Sequence, residues 1–250
     1  MRIIQLNKVL KIETFWKNGR NFLSRPQSGI FSAALVIAFT YGISMVLGIF
    51  RDRILVSRFF PCCRAELDSY YAAFRIPDII FQLIVIGALS SAFIPVFSDK
   101  LAKDQKEAYG LSSSLINIFL MFFLILCVII YFFAKPFSQL IAGGFTENQI
   151  NLMTGMTRVM LLAQIFFLVS SFFSAIVQTQ RRFLLPSLSP IVYNLGIIFS
   201  ILLLSGRLGI WSAVFGVVLG AFLHLLIQIP LLIKLGYKYS FVIDWKNYGV

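Results

Sequence analysis

Six stretches of predominantly apolar residues divide the chain, near 29–50, 69–98, 110–134, 152–178, 184–205 and 208–234. Each is long enough to cross a hydrocarbon core of about 30 Å as a helix. None shows the period-two alternation of a membrane barrel strand, and lipid offers the backbone no hydrogen-bond partner, so the crossings are predicted to be helical. The pattern predicts an all-α membrane protein. Ahead of the first stretch, Ile3, Leu6, Val9, Leu10, Ile12, Phe15 and Trp16 mix with Lys8, Lys11, Lys17 and Arg20. That mixture fits either an amphipathic helix lying on the bilayer surface or a disordered basic leader. The first long run starts near Gly29 without a small-residue cleavage pattern, so no cleavable signal peptide is expected and the first helix should stay in the membrane.

Polar positions between the runs orient them. Arg2, Lys8, Lys11, Lys17, Arg20 and Arg25 precede the first crossing, Lys100, Lys103 and Lys106 follow the second, Arg181 and Arg182 follow the fourth, and Lys234, Lys238 and Lys246 follow the sixth. The other side holds Lys135, Arg207 and the first loop's Arg51, Arg53, Arg58 and Arg64. The excess of Lys and Arg predicts that both ends are cytoplasmic. Four arginines in one loop on the opposite side run against this trend. Binding an anion is the candidate reason, beside the plainer one of marking an interfacial loop.

Composition sharpens the class. Hydrophobic residues make up 59% of the 250 and charged residues 13%, against roughly 25% charged in a soluble domain. The net charge of +12 comes from Lys and Arg at the ends of apolar runs, not from one continuous face, so membrane lipids with anionic headgroups are expected partners and nucleic acid is not. Cys62, Cys63 and Cys127 include no C-x-x-C pair and the chain has one His, which suggests neither a disulfide framework nor a metal site. No catalytic triad, phosphate loop or zinc motif is present. An enzyme is not expected, nor is a cofactor.

Polar residues inside the predicted spans are Asn117, Arg158, Gln164, Asn194, His224 and Gln228, with Asp78 the one acidic residue well inside a span. Arg158 lies near a helix start, where snorkelling competes with a cavity role. His224 has no second titratable residue visibly paired with it, which favours an interhelical hydrogen bond over a proton relay. Small residues at Ala34, Ala38, Gly42, Ser44 and Gly48 give the first span a close-packing stripe, and Gly216 and Gly220 give the last a G-x-x-x-G face.

Three blocks carry a more specific signal. Val46, Leu47 and Gly48 lead into Arg51-Asp52; Asp68 leads through Ala73-Phe74-Arg75-Ile76-Pro77 into Asp78; and Gly87-Ala88-Leu89-Ser90-Ser91-Ala92-Phe93-Ile94-Pro95-Val96 closes the series. In order and spacing they resemble the MurJ (MviN) family of lipid II flippases. Arg181-Arg182-Phe183 before Pro186, Pro190 and Asn194, and Gln228 with Pro230, extend the likeness over most of the chain.

The resemblance implies a six-transmembrane-helix lobe of the multidrug/oligosaccharidyl-lipid/polysaccharide exporter type. On that reading residues 1–28 are a basic amphipathic cytoplasmic leader, 29–234 the lobe, and 235–250 a cytoplasmic tail or the start of a connection to a second lobe. The second lobe is missing from this chain: the chain is a fragment, or a partner supplies the other half. The implied function is to flip a lipid-linked oligosaccharide, the peptidoglycan precursor lipid II, across the bacterial cytoplasmic membrane by alternating access.

The substrate-binding candidates are Arg51, Asp52, Asp68 and Arg75. A guanidinium binds pyrophosphate oxygens bidentately without losing its charge, the carboxylates would position arginines, and Asp68 and Arg75 are seven residues apart and can share a helix face. Pro77 is the candidate hinge, with a static kink as the alternative. Where family members commonly carry polar cavity residues this sequence has Met45, Phe81 and Ile86, which thins the implied cationic lining. Export of another lipid-linked sugar or small molecule, or a non-transporting membrane scaffold, are the alternatives.

Overall fold

The computed structural model describes residues 29–83, 89 and 93–241. Eight helices organise them: α1 Ile30–Ala73, α2 Arg75–Phe81, α3 Ile94–Lys103, α4 Gln105–Ile141, α5 Glu147–Thr179, α6 Leu184–Leu208, α7 Trp211–Leu226 and α8 Ile229–Lys234. No strand occurs among the described residues. The predicted leader, Ile86 and the end of the predicted tail lie outside them.

Five segments are long and apolar enough to cross a bilayer: Phe31–Phe81, Gln105–Ile141, Glu147–Thr179, Leu184–Leu208 and Trp211–Lys234. The first holds 51 residues, about 75 Å at 1.5 Å per residue, more than twice a hydrocarbon core. It therefore contains the first expected crossing and the beginning of the second. The remainder of that second crossing, predicted over 69–98, falls partly in residues 84–88 and 90–92, outside the described set. Gln82, Leu83, Leu89 and Phe93 adopt wider π-type turns before α3 resumes an α-helix.

Hydrogen bonds between helices fix their relative directions. Lys135 near the end of α4 bonds Glu147 at the start of α5, 2.6 Å, and the Arg158 Nε donates to the Tyr131 carbonyl, 2.9 Å, so α4 and α5 run antiparallel. Ser170 meets His224 and Ser174 meets Gln228, so α5 and α7 run parallel. Short turns reverse the chain between α5 and α6 and between α6 and α7. Within α1, Ser44 and Arg51 pair with Asn194 and Arg58 with Ser205, so its first arm advances with α6. Its second arm advances with α5: Ser69 meets Gln149 and Ala73 meets Thr157. The chain thus changes direction inside α1, at Cys63, which has φ −144° and ψ 46°.

Helix ends follow caps rather than the limits of the apolar runs. The Asp104 carboxylate accepts from the Lys106 and Glu107 amides, starting α4 before the apolar run does. Thr146 and Gln149 form a reciprocal capping box at the start of α5. Pro230 cannot donate to the Leu226 carbonyl, and the sixth predicted span accordingly divides into α7 and α8. After α8 the chain lies along α4. Tyr109 and Gln105 donate to the Leu235 carbonyl, Tyr237 meets Ser113, Asn117 donates to the Ser240 carbonyl, and Tyr239 bonds Asn117.

Gln180 at the end of α5 also reaches Tyr109. Lys106, Arg181, Arg182, Lys234 and Lys238 therefore gather at one end of the bundle, in agreement with the charge pattern. On the same side, α3 buries Phe97 while Lys103 pairs with Asp99 at 2.8 Å. The Lys103 hydrogen bond holds the exposed Asp99 carboxyl below its ordinary range. Lys100 pairs with Glu107 across the α3–α4 junction.

Lipid tails are as apolar as leucine, so close packing and interhelical hydrogen bonds hold such a bundle rather than exclusion of water. The α6–α7 contact shows the packing term. A Cβ built on Gly220 would lie 2.6 Å from the Tyr193 carbonyl oxygen, and one on Gly196 would lie 2.8 Å from the Gly220 Cα. The predicted G-x-x-x-G face is therefore used. The stripe on α1 is used only in part: Ser44 and Gly48 face Asn194, whereas Ala34, Ala38 and Gly42 are exposed. Gly220→Ala should force α6 and α7 apart and destabilise by about 1–3 kcal/mol. Gly206→Ala, with open space around its Cβ, should be neutral or gain up to about 1 kcal/mol from helix propensity. Thermal unfolding in detergent distinguishes them, and equal midpoints would refute the close-contact account.

Candidate functional site

Arg51 does not stand in a loop after a first crossing that ends at residue 50. The helix runs on through Arg51 and Asp52 to the turn at Cys63, because neither residue breaks a helix and the apolar run ends before the helix does. Its partner Asn194 is the eleventh residue of the 25-residue α6, near the middle of that crossing. The guanidinium is thus held inside the spanning region, where an ionisable group is expensive and marks a candidate site.

Three bonds hold it there. Nε and Nη2 donate to Asp52 Oδ1 at 3.0 and 2.8 Å, and Nη1 donates to Asn194 Oδ1 at 3.0 Å. Asn194 is itself fixed from behind, its Nδ2 lying 3.2 Å from both the Ser44 carbonyl and the Ser44 Oγ. The buried amide cannot turn away without losing both. A guanidinium has five N–H donors, so these three bonds leave two. With side chains 22% and 47% exposed, Arg51 and Asp52 are oriented by the protein yet reachable.

Other polar groups gather around this pair. Tyr70 and Tyr193 lie within electrostatic range of Arg51, and Tyr71 of Asp52. Asp78 on α2 accepts from Gln164 Nε2 of α5 at 3.0 Å, and Tyr193 senses the same carboxylate. The arrangement is a belt of one guanidinium, two carboxylates, two amides and three phenols shared by α1, α2, α5 and α6. Such a belt offers neutral hydrogen-bond donors and acceptors to a hydroxyl-rich group, with the spare Arg51 donors as its one cationic element.

Among the sequence candidates, Arg51 and Asp52 come together. Asp68 and Arg75 do not: both are exposed, on either side of the α1–α2 break at Phe74, and neither makes a hydrogen bond or ion pair among the described residues. Met45 is 70% exposed on α1, and Phe81 packs on Phe167. Gln164 was visible in the sequence only as a polar residue in an apolar span, and Asn194 as that and as part of the family likeness, with no role attached. Tyr70, Tyr71 and Tyr193 carried no signal, since aromatics are common in such helices.

Pro77 has no N–H for the Ala73 carbonyl four residues earlier. The chain breaks at Phe74, between α1 and α2, and the Thr157 hydroxyl of α5 donates to the freed Ala73 oxygen at 3.2 Å. A neighbouring helix thus satisfies the group that the proline orphans. Arg158 is occupied by the Tyr131 carbonyl and lies 5.0 Å over the Tyr131 ring, and Ser170 Oγ sits 2.7 Å from His224 Nδ1. Both are used in helix packing. Among the described residues no cluster of His, Cys, Asp and Glu could hold a metal ion.

Fold and site together define a multi-pass helical membrane protein with a polar, hydrogen-bonding belt inside its bundle. Residues 63–250 match the family model described as lipid II flippase MurJ. Among curated relatives, the chain is 30% identical over 211 residues to the probable lipid II flippase MurJ of Borreliella burgdorferi, covering 84% of this chain and 41% of that protein. It is 31% identical over 215 residues to the lipid II flippase MurJ of Thermosipho africanus, covering 86% and 43%. A solved structure, a lipid II flippase MurJ in an inward closed conformation, superposes with a TM-score of 0.69 at 30% identity, over 84% of this chain and 44% of that one. The chain belongs to the lipid II flippase MurJ family and spans about two fifths of the length of the curated relatives it matches. The matched family region begins at Cys63, so the Arg51-Asp52 block lies ahead of it.

If Thr157 substitutes for the hydrogen bond lost at Pro77, Thr157→Val, nearly isosteric, should leave the Ala73 carbonyl unpaired. The expected cost is about 1–2 kcal/mol. Unfolding midpoints in detergent equal to those of the unsubstituted chain would remove that role.

Proposed function

We propose that this chain forms one lobe of a lipid II flippase and that its polar belt binds the phosphorylated head of the lipid-linked precursor during transport. The observation that carries the reading is the Arg51 guanidinium, fixed by Asp52 and Asn194 inside the spanning region with donors to spare. A pyrophosphate needs directed cationic donors, while the polyprenyl tail needs hydrocarbon beside them; a half-buried arginine on a helix with a broad apolar outer face meets both needs. The relatives' names support a transporter rather than a catalyst.

The second lobe belongs to the length that the relatives have beyond this chain. Alternating access then has the two lobes rock around the belt, giving the headgroup first one side and then the other. Asp68 and Arg75, exposed on either side of Phe74, are assigned to the rim that the headgroup meets on entry, and Pro77 to the joint between α1 and α2. Both chain ends are placed in the cytoplasm, supported by the gathering of Lys106, Arg181, Arg182, Lys234 and Lys238 at one end. Residues 29–234 then make the transmembrane lobe, and 235 onward leads along α4 towards the connection.

In the full-length protein carrying this segment, Arg51→Ala should weaken lipid II binding by about 1.5–3 kcal/mol, roughly ten- to a hundredfold, the scale of a charged hydrogen bond. Arg51→Lys should restore part of it, because the ammonium keeps the charge but not the fork. Binding to lipid II in nanodiscs and translocation in proteoliposomes measure both variants. An Arg51→Ala protein that binds and translocates normally would rule the site out.

A further inference from the structure

The turn inside α1 carries chemistry that the belt does not use. Cys62 and Cys63, neighbours in sequence, are joined by a disulfide. We propose that this pair is a reversible thiol–disulfide site whose oxidised form locks the turn between the arm bearing Arg51 and the arm leading to Pro77 and Asp78.

Helix geometry supports the coupling. Successive residues of an α-helix are rotated by about 100°, so neighbouring side chains diverge, whereas a disulfide requires Cβ atoms about 3.5–4.5 Å apart. Bond and helical backbone exclude one another at that step. Cys63 is the residue inside α1 whose backbone leaves the helical region. Pro61 does not account for it. A proline disturbs the helix upstream, through the carbonyl four residues earlier, here Ser57, and through the preceding residue, here Phe60. The departure lies two residues downstream of the proline, at the bonded pair.

Access and surroundings fit exchange. Cys62 is exposed and Cys63 half-buried, while Cys127 is buried in α4 and takes no part. Arg58 and Arg64 flank the pair in sequence, with their guanidinium groups turned to Ser205 and to the Phe60 ring. The reaction balances with an external disulfide as oxidant. One protein thiolate attacks it and releases one thiol; the second displaces the other sulfur, so two protein thiols and one disulfide become one protein disulfide and two thiols. A thiol or phosphine reductant opens the ring again. The pair lies at the end of the bundle away from Lys106 and Arg181, which on the proposed topology is the non-cytoplasmic side, where disulfides persist. That placement rests on the proposed orientation; the coupling between ring and turn does not.

The consequence reaches the belt. Arg51 and Asp52 sit on the first arm, while Tyr70 sits on the second, which continues to Asp78. A locked turn fixes the angle between these walls, and an open pair frees the backbone of residues 62 and 63 within the turn.

The test uses the purified full chain incubated with oxidised glutathione or with a phosphine, then alkylated with N-ethylmaleimide and mapped by peptide mass spectrometry. The peptide holding Cys62 and Cys63 should carry no adduct after oxidant and two after reductant. Amide exchange across residues 59–69 should be about tenfold slower in the oxidised form. Cys62→Ser should exchange at the reduced rate under either treatment. Double alkylation after oxidant, glutathione or a second chain captured in place of the ring, or equal exchange in the two states would overturn the proposal. Labelling right-side-out and inverted membrane vesicles with a membrane-impermeant maleimide after reduction reads the orientation separately: label entering only in the inverted vesicles would refute the topology and leave the ring intact.

Discussion

A guanidinium between apolar helices is tolerated only where acceptors meet it, and the geometry around Arg51 follows from that constraint. Asp52 supplies the opposing charge from the next position of the same helix, at 2.8 Å. Asn194 supplies the acceptor from α6, and Ser44 fixes the Asn194 amide. Three positions on two helices therefore set the register between α1 and α6. Sliding either helix by a turn would leave a buried amide or a charge without its partner, and in hydrocarbon no water replaces it. The same bonds that make the site also align the crossing that carries it.

The rest of the bundle obeys the same rule with neutral groups. Ser170, Ser174, His224 and Gln228 form a seam between α5 and α7, in which the buried Gln228 donates to Ser170 and accepts from Ser174. Thr157 repairs the ladder broken by Pro77, and Asn117 with Ser113 holds the segment after α8 against α4. Each bond is worth about 0.6–2 kcal/mol in a membrane. Their value lies in specifying register, which greasy surfaces alone leave undetermined. The glycines of α6 and α7 contribute the complementary term, bringing two backbones close enough for dispersion to act over the whole interface.

Much of this was legible in the residues. Apolar run length anticipated long apolar helices, of which five segments are long enough to span where six crossings were expected, the second lying partly outside the described residues. Basic residues that the charge pattern put on one side do gather at one end of the bundle. The short blocks around Arg51, Pro77 and Phe93 pointed to the family. The depth of Arg51 was not legible. A charged pair after an apolar run looks like the end of a crossing, and only the partner on α6 reveals that the helix continues through it. The α1 small-residue stripe misled for a related reason: Ala34 and Ala38 have the right spacing, yet Ala33, Thr40, Ser44, Leu55 and Phe59 form the face that meets the bundle. Spacing identifies a face without saying which of two neighbouring faces is used. The Cys62–Cys63 bond was missed because the cysteines were weighed only for C-x-x-C spacing, and adjacent cysteines, although expected in the first loop, are not a usual disulfide pair.

Arg51 and Pro77 are tied into the fold in different ways, and the difference bears on how the site could work. Arg51 is held by the long-range contact between α1 and α6, whereas Pro77 sits after a break already supplied with a replacement donor from α5. A joint whose orphaned carbonyl is satisfied by a neighbour bends cheaply so long as that neighbour moves with it. The second arm of α1, α2 and α5 are linked by the bonds of Ser69, Thr157 and Gln164, and the first arm is linked to α6 by Asn194 and Ser205. The belt is therefore built across two groups of helices, joined in sequence at Cys63 and at the α5–α6 turn. The two groups also meet through α7, which is bonded to α5 at His224 and packs on α6 at Gly196 and Gly220, so a shift that separated Asp78 and Tyr70 from Arg51 would have to slide one of those contacts.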